Sequence, residues 1–519
     1  MILGDVIPRN AALRGGQAAV VHDGGTLGFA GLAERAYRLA NALIARGVAR
    51  QDRISLLAQN CVEYVEVLGA GETTGIIVHP VNFRLTAPEV AYVLGDAAPS
   101  VVFFEAQYAA LMGEIRASLS GVRAFVQIGG DGVPGWAEPY EALLAAGAPL
   151  RPALRPHADD TAFIFYSSGS TGRPKGVMLG QRAQWNTALI VGYETGITPR
   201  DTGLIVMPLF HIGGRFFQIA HHMAGATIHL PRRFDAAAVA DTIERERITT
   251  LHLAPTMVQA LLDVPGLDQR DISSLRTLSY GASAMPVALL RRALARFGPI
   301  LIQRYGSTEA AVVSALDKHQ HVPDGTPEQV ARLASAGQAG AMAEICVRHA
   351  DGSECAPGES GSIWVRNPDL VMQGYWRNPD ATAAVLRDGW YEMGDVGYLD
   401  AEGFLFIVDR KTEMIVSGGE NIYPREVEEA LMHHPAVMDT AVIGIPDEKW
   451  GESVLAFVVL RDGMSAGEDE IVAFCRTRIA SYKKPRRVEF RDRLPRASTG
   501  KIDKIALREP YWKGRDRRV

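Results

Sequence analysis

Short apolar runs punctuate the first half of this 519-residue chain, with helix-length stretches between them, and that alternation constrains the fold more than any other feature. The runs fall at 52–58, 76–78, 101–104, 124–128, 161–165, 203–207, 227–230, 250–253 and 277–280. Between the early runs, 27–48 carries apolar residues at helical spacing (Leu32, Tyr37, Leu39, Leu43). Strands separated by helices pack as a mixed sheet with helices on its faces. The length exceeds one ordinary core and leads us to expect roughly three structural units. Around 340–410 the pattern changes to short β-like pieces at 343–348, 361–366 and 404–408, split by Gly-rich turns. These read as a small β subdomain closing the large one. A further compact α/β pattern follows, with pieces at 424–433, 437–444, 454–459, 468–479 and 487–490.

Composition narrows the class. Apolar residues make up 47% and charged residues 22%, as in globular proteins, and a net charge of −5 gives no electrostatic case for nucleic acid as main partner. Cys61, Cys346, Cys355 and Cys475 share no CxxC or Cys/His spacing, which argues against a disulfide framework or zinc site and fits a reducing compartment. No basic segment followed by an apolar core opens the chain, and no apolar run approaches the ~20 residues that span a bilayer. A cytoplasmic enzyme is the expectation.

The 161–165 run empties into Tyr166-Ser167-Ser168-Gly169-Ser170-Thr171-Gly172-Arg173-Pro174-Lys175-Gly176. Glycines permit close backbone approach, hydroxyls and N–H groups donate, and Lys175 adds charge, so the loop is suited to surround phosphate oxygens. It is not a Walker A loop, because no Gly-Lys-Ser/Thr stands at the required spacing. Taken alone it also reads as an ordinary Gly/Ser surface loop.

The loop resembles the phosphate-binding signature of the acyl-adenylate-forming superfamily, in its acyl- or aryl-CoA synthetase branch. Similar signatures follow in that family's order: Pro208-Leu-Phe-His-Ile-Gly-Gly214, Tyr305-Gly-Ser-Thr-Glu309, Tyr391-Glu-Met-Gly-Asp395, Asp409-Arg410, Ser417-Gly-Gly-Glu-Asn-Ile-Tyr-Pro424 and Pro495-Arg-Ala-Ser-Thr-Gly-Lys501. The resemblance covers nearly the whole chain. It implies a large N-terminal mixed α/β domain with a small β subdomain over 1–409, a hinge at 410–412, and a small mobile α+β C-terminal domain over 413–519.

It also implies an ATP-dependent ligase that makes an acyl-AMP and then a CoA thioester, with ATP, Mg²⁺ and CoA as cofactors and a carboxylic acid as substrate. Ser167, Ser168, Gly169, Ser170, Thr171, Gly172 and Lys175 would surround the departing pyrophosphate. Thr308 would serve the α-phosphate and Glu309 the metal, a hard cation that takes oxygen ligands. Alone, Thr-Glu is more often a solvated helix start, since the pair also suits a first turn. Asp395 would accept from the ribose hydroxyls with Arg410 beside it, and Gly281, Ala282, Ser283, Gln303, Arg304 and Tyr305 would line the adenine. Lys501 would stabilise the charge that shifts as the carboxylate attacks. His211 would stand between acyl pocket and thiol route, the alternative being a satisfied buried histidine. Gly418 and Gly419 would let the pantetheine arm pass. Trp450, Tyr482, Lys484, Arg486 and Arg84 would hold the nucleotide end of CoA, although surface charge explains the same residues.

The chain departs from the pattern at Met393, where the family has Thr; at Thr412, where Lys or Asp is usual; and at Gly180-Gln181-Arg182, in place of Ser-His-Arg. Candidate acyl-pocket walls are 211–217, 253–257, 280–284 and 306–313, mostly small or apolar. Arg215 offers a charge for the second carboxylate of a dicarboxylic acid, but an arginine facing solvent or another protein group is the stronger expectation. A carrier-protein pantetheine as acceptor and a catalytically silent binding module are the rival readings. A homodimer is a further possibility.

Overall fold

The computed structural model describes residues 1–167, 174–410, 413–417, 420–448, 450–497 and 501–513, with backbone only at Arg410, Glu420 and Asn421. Its chain falls into two compact units. The larger holds Met1–Ile345 and Val365–Tyr391; the smaller holds Cys346–Trp364 and Glu392–Val519. The fold is mixed α/β in both. The β-like pieces expected around 340–410 fall in one five-stranded sheet, Glu344–Arg348, Gly361–Arg366, Trp390–Leu399, Leu386–Arg387, with Leu405–Arg410 paired to Trp390–Leu399.

Two sheets build the larger unit. The first runs Gln338–Ala339, Ala311–Leu316, Leu301–Ser307, Thr277–Gly281, Thr250–Leu253, Thr202–Leu204, Thr227–His229, Ala18–His22, Gly25–Gly28. The second runs Gly374–Tyr375, Lys175–Gly180, Thr161–Ser167, Ile77–Pro80, Arg53–Leu57, Val101–Glu105, Ala124–Ile128, Glu138–Pro139. Their central strands are parallel and buried on both faces, which is why they read as unbroken apolar runs.

The helix Ile212–Ala224 is packed between the sheets. Its Arg215 lies over Phe163 of the second sheet, while its His221 Nε2 meets Thr250 Oγ1 of the first at 2.6 Å. Residues Ile212 through His222 are buried around the whole helix. Gly203 and Gly214 make this packing possible, since a Cβ at either would collide with His221 or with the Pro208 carbonyl.

One expected strand is shorter than its apolar run. The 203–207 run pairs as strand only at Thr202–Leu204. Beyond it the Asn60 side chain takes over from the sheet: Nδ2 donates to the carbonyls of Ile205 and Met207, and Oδ1 accepts from Leu209 N–H. Buried backbone must be paired, and here one side chain does it in place of a neighbouring strand.

In the smaller unit the antiparallel hairpin Val437–Asp447 and Gly451–Leu460 is joined by the parallel strand Arg487–Phe490. Side chains alternate across it with period two. Val442, Val454, Ala456 and Val458 enter one core with the helices Pro424–Met432 and Glu468–Arg476. Ala441, Ile443, Leu455, Phe457 and Val459 face the other way, towards Leu494 and Leu507 of the helix Lys504–Trp512.

Candidate active site

Ser167 ends the strand Thr161–Ser167 and Lys175 begins Lys175–Gly180, the two lying opposite one another in register. The base of this hairpin is fixed by Tyr166, whose hydroxyl donates to Asp96 at 2.5 Å. Ser168, Gly169, Ser170, Thr171 and Gly172 lie outside the described residues.

The turn after Leu301–Ser307 brings Glu309 to the same place. Its Oε1 takes the Tyr375 hydroxyl at 3.2 Å and the Ser167 hydroxyl at 3.4 Å. Tyr391 is hydrogen-bonded to both Tyr375 and Ser307. Lys175 Nζ stands 5.1 Å from the centre of the Tyr375 ring. Burial first, and then the Glu309 carboxylate, raise the Tyr375 phenol above its ordinary range, so it stays protonated and donates. Local backbone makes the turn possible: Ala311 has φ 56°, and a Cβ on Gly306 would fall on the Ala311 carbonyl. Thr308 lies in this turn, half-buried.

Gly281 is paired with Arg304, and Tyr280 with Gln303, so the two segments expected at an adenine lie side by side. A Cβ on Gly281 would sit 2.6 Å from the Arg304 carbonyl. Ala282 has φ 69° and is exposed with Ser283, while Tyr305 is half-buried. Arg304 directs its guanidinium to Glu194 on the helix Gln181–Thr195, so an adenine contact from this residue would fall to its backbone.

His211 caps the helix Ile212–Ala224, its Nδ1 accepting from Gly213 N–H at 3.0 Å. That bond places the proton of the neutral ring on Nε2. Behind it stands His252, which the sequence reading did not single out. His252 Nδ1 meets Ser279 Oγ at 3.0 Å, its ring packs on Phe216 and Phe217, and burial pushes its pKa down to about 3. Arg84 lies over both Phe83 and Phe210, the rings themselves meeting edge to face at 5.2 Å, so it stands next to the His211 segment.

Arg215 does not serve a substrate. It is 0% exposed and pairs with Glu72, 6% exposed, inside the core. Of the two alternatives read from the sequence, a protein partner is the one found: the charge is already committed to Glu72.

In the smaller unit Asp395 is 3% exposed and pairs in register with Arg410; the Arg410 side chain lies outside the described part. Met393 is buried on the same strand. Arg486 lies over the Trp450 ring at 4.8 Å, which brings two of the residues expected at CoA together. Tyr482 is 47% exposed and Lys484 half-buried. Gly418 and Gly419 lie outside the described residues, as do positions 411 and 412 of the expected hinge. Lys501 is exposed on a turn closed by Ala497 N–H to its own carbonyl at 2.8 Å and by the Arg496–Ile502 bridge. Three residues on, Lys504 pairs with Glu413 at 2.8 Å and Glu428 at 2.9 Å, close to buried Asp409.

The model of AMP-binding enzymes matches residues 7–376, and that of the AMP-binding enzyme C-terminal domain matches 426–501. A feruloyl-CoA synthase from Amycolatopsis sp is 40% identical over 512 residues, 98% of this chain and 99% of the relative. An indoleacetate–CoA ligase from Aromatoleum aromaticum is 39% identical over 516 residues, 98% of each. The structure of o-succinylbenzoate CoA synthetase from Bacillus subtilis with its acyl-adenylate intermediate superposes with a TM-score of 0.85 at 30% identity, covering 99% of both chains. The chain belongs to the AMP-binding enzyme family. Within it, this is an AMP-forming acid–thiol ligase, which uses ATP to join a carboxylic acid to CoA through an acyl-AMP. Among the described residues, no helix is long and apolar enough to cross a membrane.

Proposed function

We propose that the acid is an aryl-substituted carboxylic acid, activated by ATP as an acyl-AMP and then transferred to CoA. The observation that carries this reading is the meeting of Ser167, Lys175, Glu309 and Tyr375 at the mouth of a loop rich in hydroxyls and glycines. The aryl preference is supported by relatives named for feruloyl and indoleacetate substrates. Apolar positions around His252 and Phe216 agree with it, since a flat ring is held by aromatic edges and faces.

Lys175 and the 167–172 hydroxyls bind the departing phosphates, and Thr308 orients the α-phosphate. Asp395 accepts from the ribose, Arg410 stands beside it, and 281–283 with 303–305 receive the adenine. Glu309 fits Mg²⁺ through oxygen. Among the described residues no three His, Cys, Asp or Glu side chains cluster as a metal cage, and Mg²⁺ bound mainly through phosphate and water needs only one or two carboxylates. When bound, the ion neutralises charge on the phosphates. Lys501 supplies the moving positive charge for adenylation, and water exclusion protects the mixed anhydride. For thioester formation the segment 413–519 turns about 410–412, presenting Gly418 and Gly419 to the pantetheine. Trp450, Lys484, Arg486 and Arg84 hold the nucleotide end of CoA. His211 orients the acyl group at the thiol entrance. A cytoplasmic setting agrees with the scattered cysteines.

A panel of aryl, arylalkanoic and aliphatic acids with ATP, Mg²⁺ and CoA, reading pyrophosphate and thioester separately, tests this. Aryl acids should give both products with the highest kcat/KM. Preference for aliphatic acids overturns the aryl assignment, and pyrophosphate without thioester points to a carrier-protein acceptor.

A further inference from the structure

Tyr375 is the side chain on which the phosphate-loop lysine and the Glu309 carboxylate meet, and it belongs to no signature read from the sequence. Its two-residue strand pairs antiparallel with the strand leaving the phosphate loop, Tyr375 opposite Val177. Tyr375 N–H donates to Thr382 Oγ1 at 2.9 Å, and Trp376 N–H donates to the Gly176 carbonyl at 2.7 Å. The Trp376 indole N–H reaches the Asp96 carbonyl at 3.0 Å. Backbone and neighbour are therefore tied down on both sides of the ring, and the phenol has a fixed origin.

From that origin, beside its hydrogen bond with Tyr391, it makes two contacts of different kinds. Its hydroxyl reaches Glu309 Oε1, which the Ser167 hydroxyl also approaches, so two hydroxyls hold one carboxylate oxygen. Its ring face lies under Lys175 Nζ. An aromatic face attracts an ammonium without neutralising it, so the lysine keeps its full charge for an anion. Among the described residues, Lys175 and Glu309 touch this one phenol and make no ion pair with each other. Direct pairing would have cancelled both charges the reaction needs.

We infer that Tyr375 is a positioning residue, its hydroxyl aiming the metal carboxylate Glu309 and its ring holding Lys175 ready for phosphate. This rests on the reading of Glu309 as the Mg²⁺ carboxylate. Outer-shell hydrogen bonds to ligating carboxylates fix ligand orientation, and their removal commonly lowers metal affinity about 10- to 100-fold.

The two roles separate by substitution in the full chain. ATP affinity is measured by calorimetry with excess Mg²⁺ and with EDTA, and the ratio of the two dissociation constants reports the metal's contribution. Tyr375→Phe keeps the ring and loses the hydroxyl: the ratio should fall about tenfold or more, with affinity in EDTA unchanged. Tyr375→Leu loses both, so affinity in EDTA should fall several-fold as well. Adding Tyr375→Phe to Glu309→Gln should change the ratio no further, because the hydroxyl acts only through that carboxylate. An unchanged ratio in Tyr375→Phe, or additive losses in the double variant, overturns the proposal. An unchanged ratio in Glu309→Gln overturns instead the reading beneath it. Circular dichroism and melting temperature establish that each variant is folded.

Discussion

Glu72→Gln should destabilise the larger unit by about 3 kcal/mol, although it changes one atom and adds no volume. The Arg215 guanidinium is wholly buried, with Phe163 at 4.8 Å from one face and the Glu72 carboxylate as its anion. Its Nε and Nη1 have no hydrogen-bond partner, so Glu72 carries nearly all the compensation for burying the charge. Burial alone drives each group towards its neutral form, raising Glu72 and lowering Arg215. Breaking such a pair by removing one charge costs roughly 3–5 kcal/mol; glutamine retains an acceptor, so the lower end applies. Replacing both partners with apolar residues of similar volume, Glu72→Leu with Arg215→Met, should bring stability back to within about 1 kcal/mol of the parent or above it. Urea unfolding followed by near-ultraviolet circular dichroism gives both values from the midpoint shift. A cost below about 1 kcal/mol for Glu72→Gln would mean that water or another anion reaches Arg215, and the account of this core would fail. The double variant should also keep its activity on monocarboxylic acids, since Arg215 is wholly buried and committed to Glu72.

Three other perturbations probe the chemistry and the smaller unit. Lys501→Ala should lower adenylation about a hundredfold or more, while a supplied acyl-adenylate still yields thioester at near-parent rate; equal slowness with that intermediate refutes the assigned role. Thr412→Pro, which fixes φ and removes an N–H, should preserve ATP–pyrophosphate exchange and slow thioester formation, and parallel loss of both in a folded variant would place the pivot elsewhere. Asp409, buried near Lys504, Glu413 and Glu428 and accepting Arg425 N–H, is raised to about 6 chiefly by burial. A carboxyl raised on folding contributes stability below its unfolded pKa near 3.8 and loses it as pH rises through about 6. Asp409→Asn should therefore melt higher than the parent at pH 8 and alike at pH 4; the same difference at both pH values refutes this.

How much was legible depended on whether a signal was local. The 161–165 strand and its loop could be read because apolar residues, hydroxyls and Lys175 are neighbours in sequence. The strands of the hairpin Val437–Asp447 and Gly451–Leu460 were readable as the pieces 437–444 and 454–459, being runs of local apolar sequence. Tyr375 was not: its partner Glu309 is 66 residues away and nothing around Gly374-Tyr375-Trp376 marks a polar task. Arg215 shows the intermediate case. A charge in an otherwise apolar helix announces that it must be paired, yet its anion lies 143 residues away, and a substrate carboxylate satisfied the same requirement on paper. The short strand at 202–204 failed to match its run for a similar reason, since nothing in 203–207 discloses that Asn60 will replace a neighbouring chain.

The helix Ile212–Ala224, enclosed by both sheets, bears on how such an enzyme can acquire a new substrate. A side chain altered on its inner turns has no solvent to move into, and well-packed interiors resist even one added methylene. Variation at 213–217 would thus be filtered first for folding and only afterwards for recognition. Ala284, beyond the adenine segment, is exposed, so a change of size there displaces no packed neighbour. Selection for a different acid, in the laboratory or in lineages, should accumulate its accepted substitutions at such loop positions and leave the enclosed helix nearly untouched.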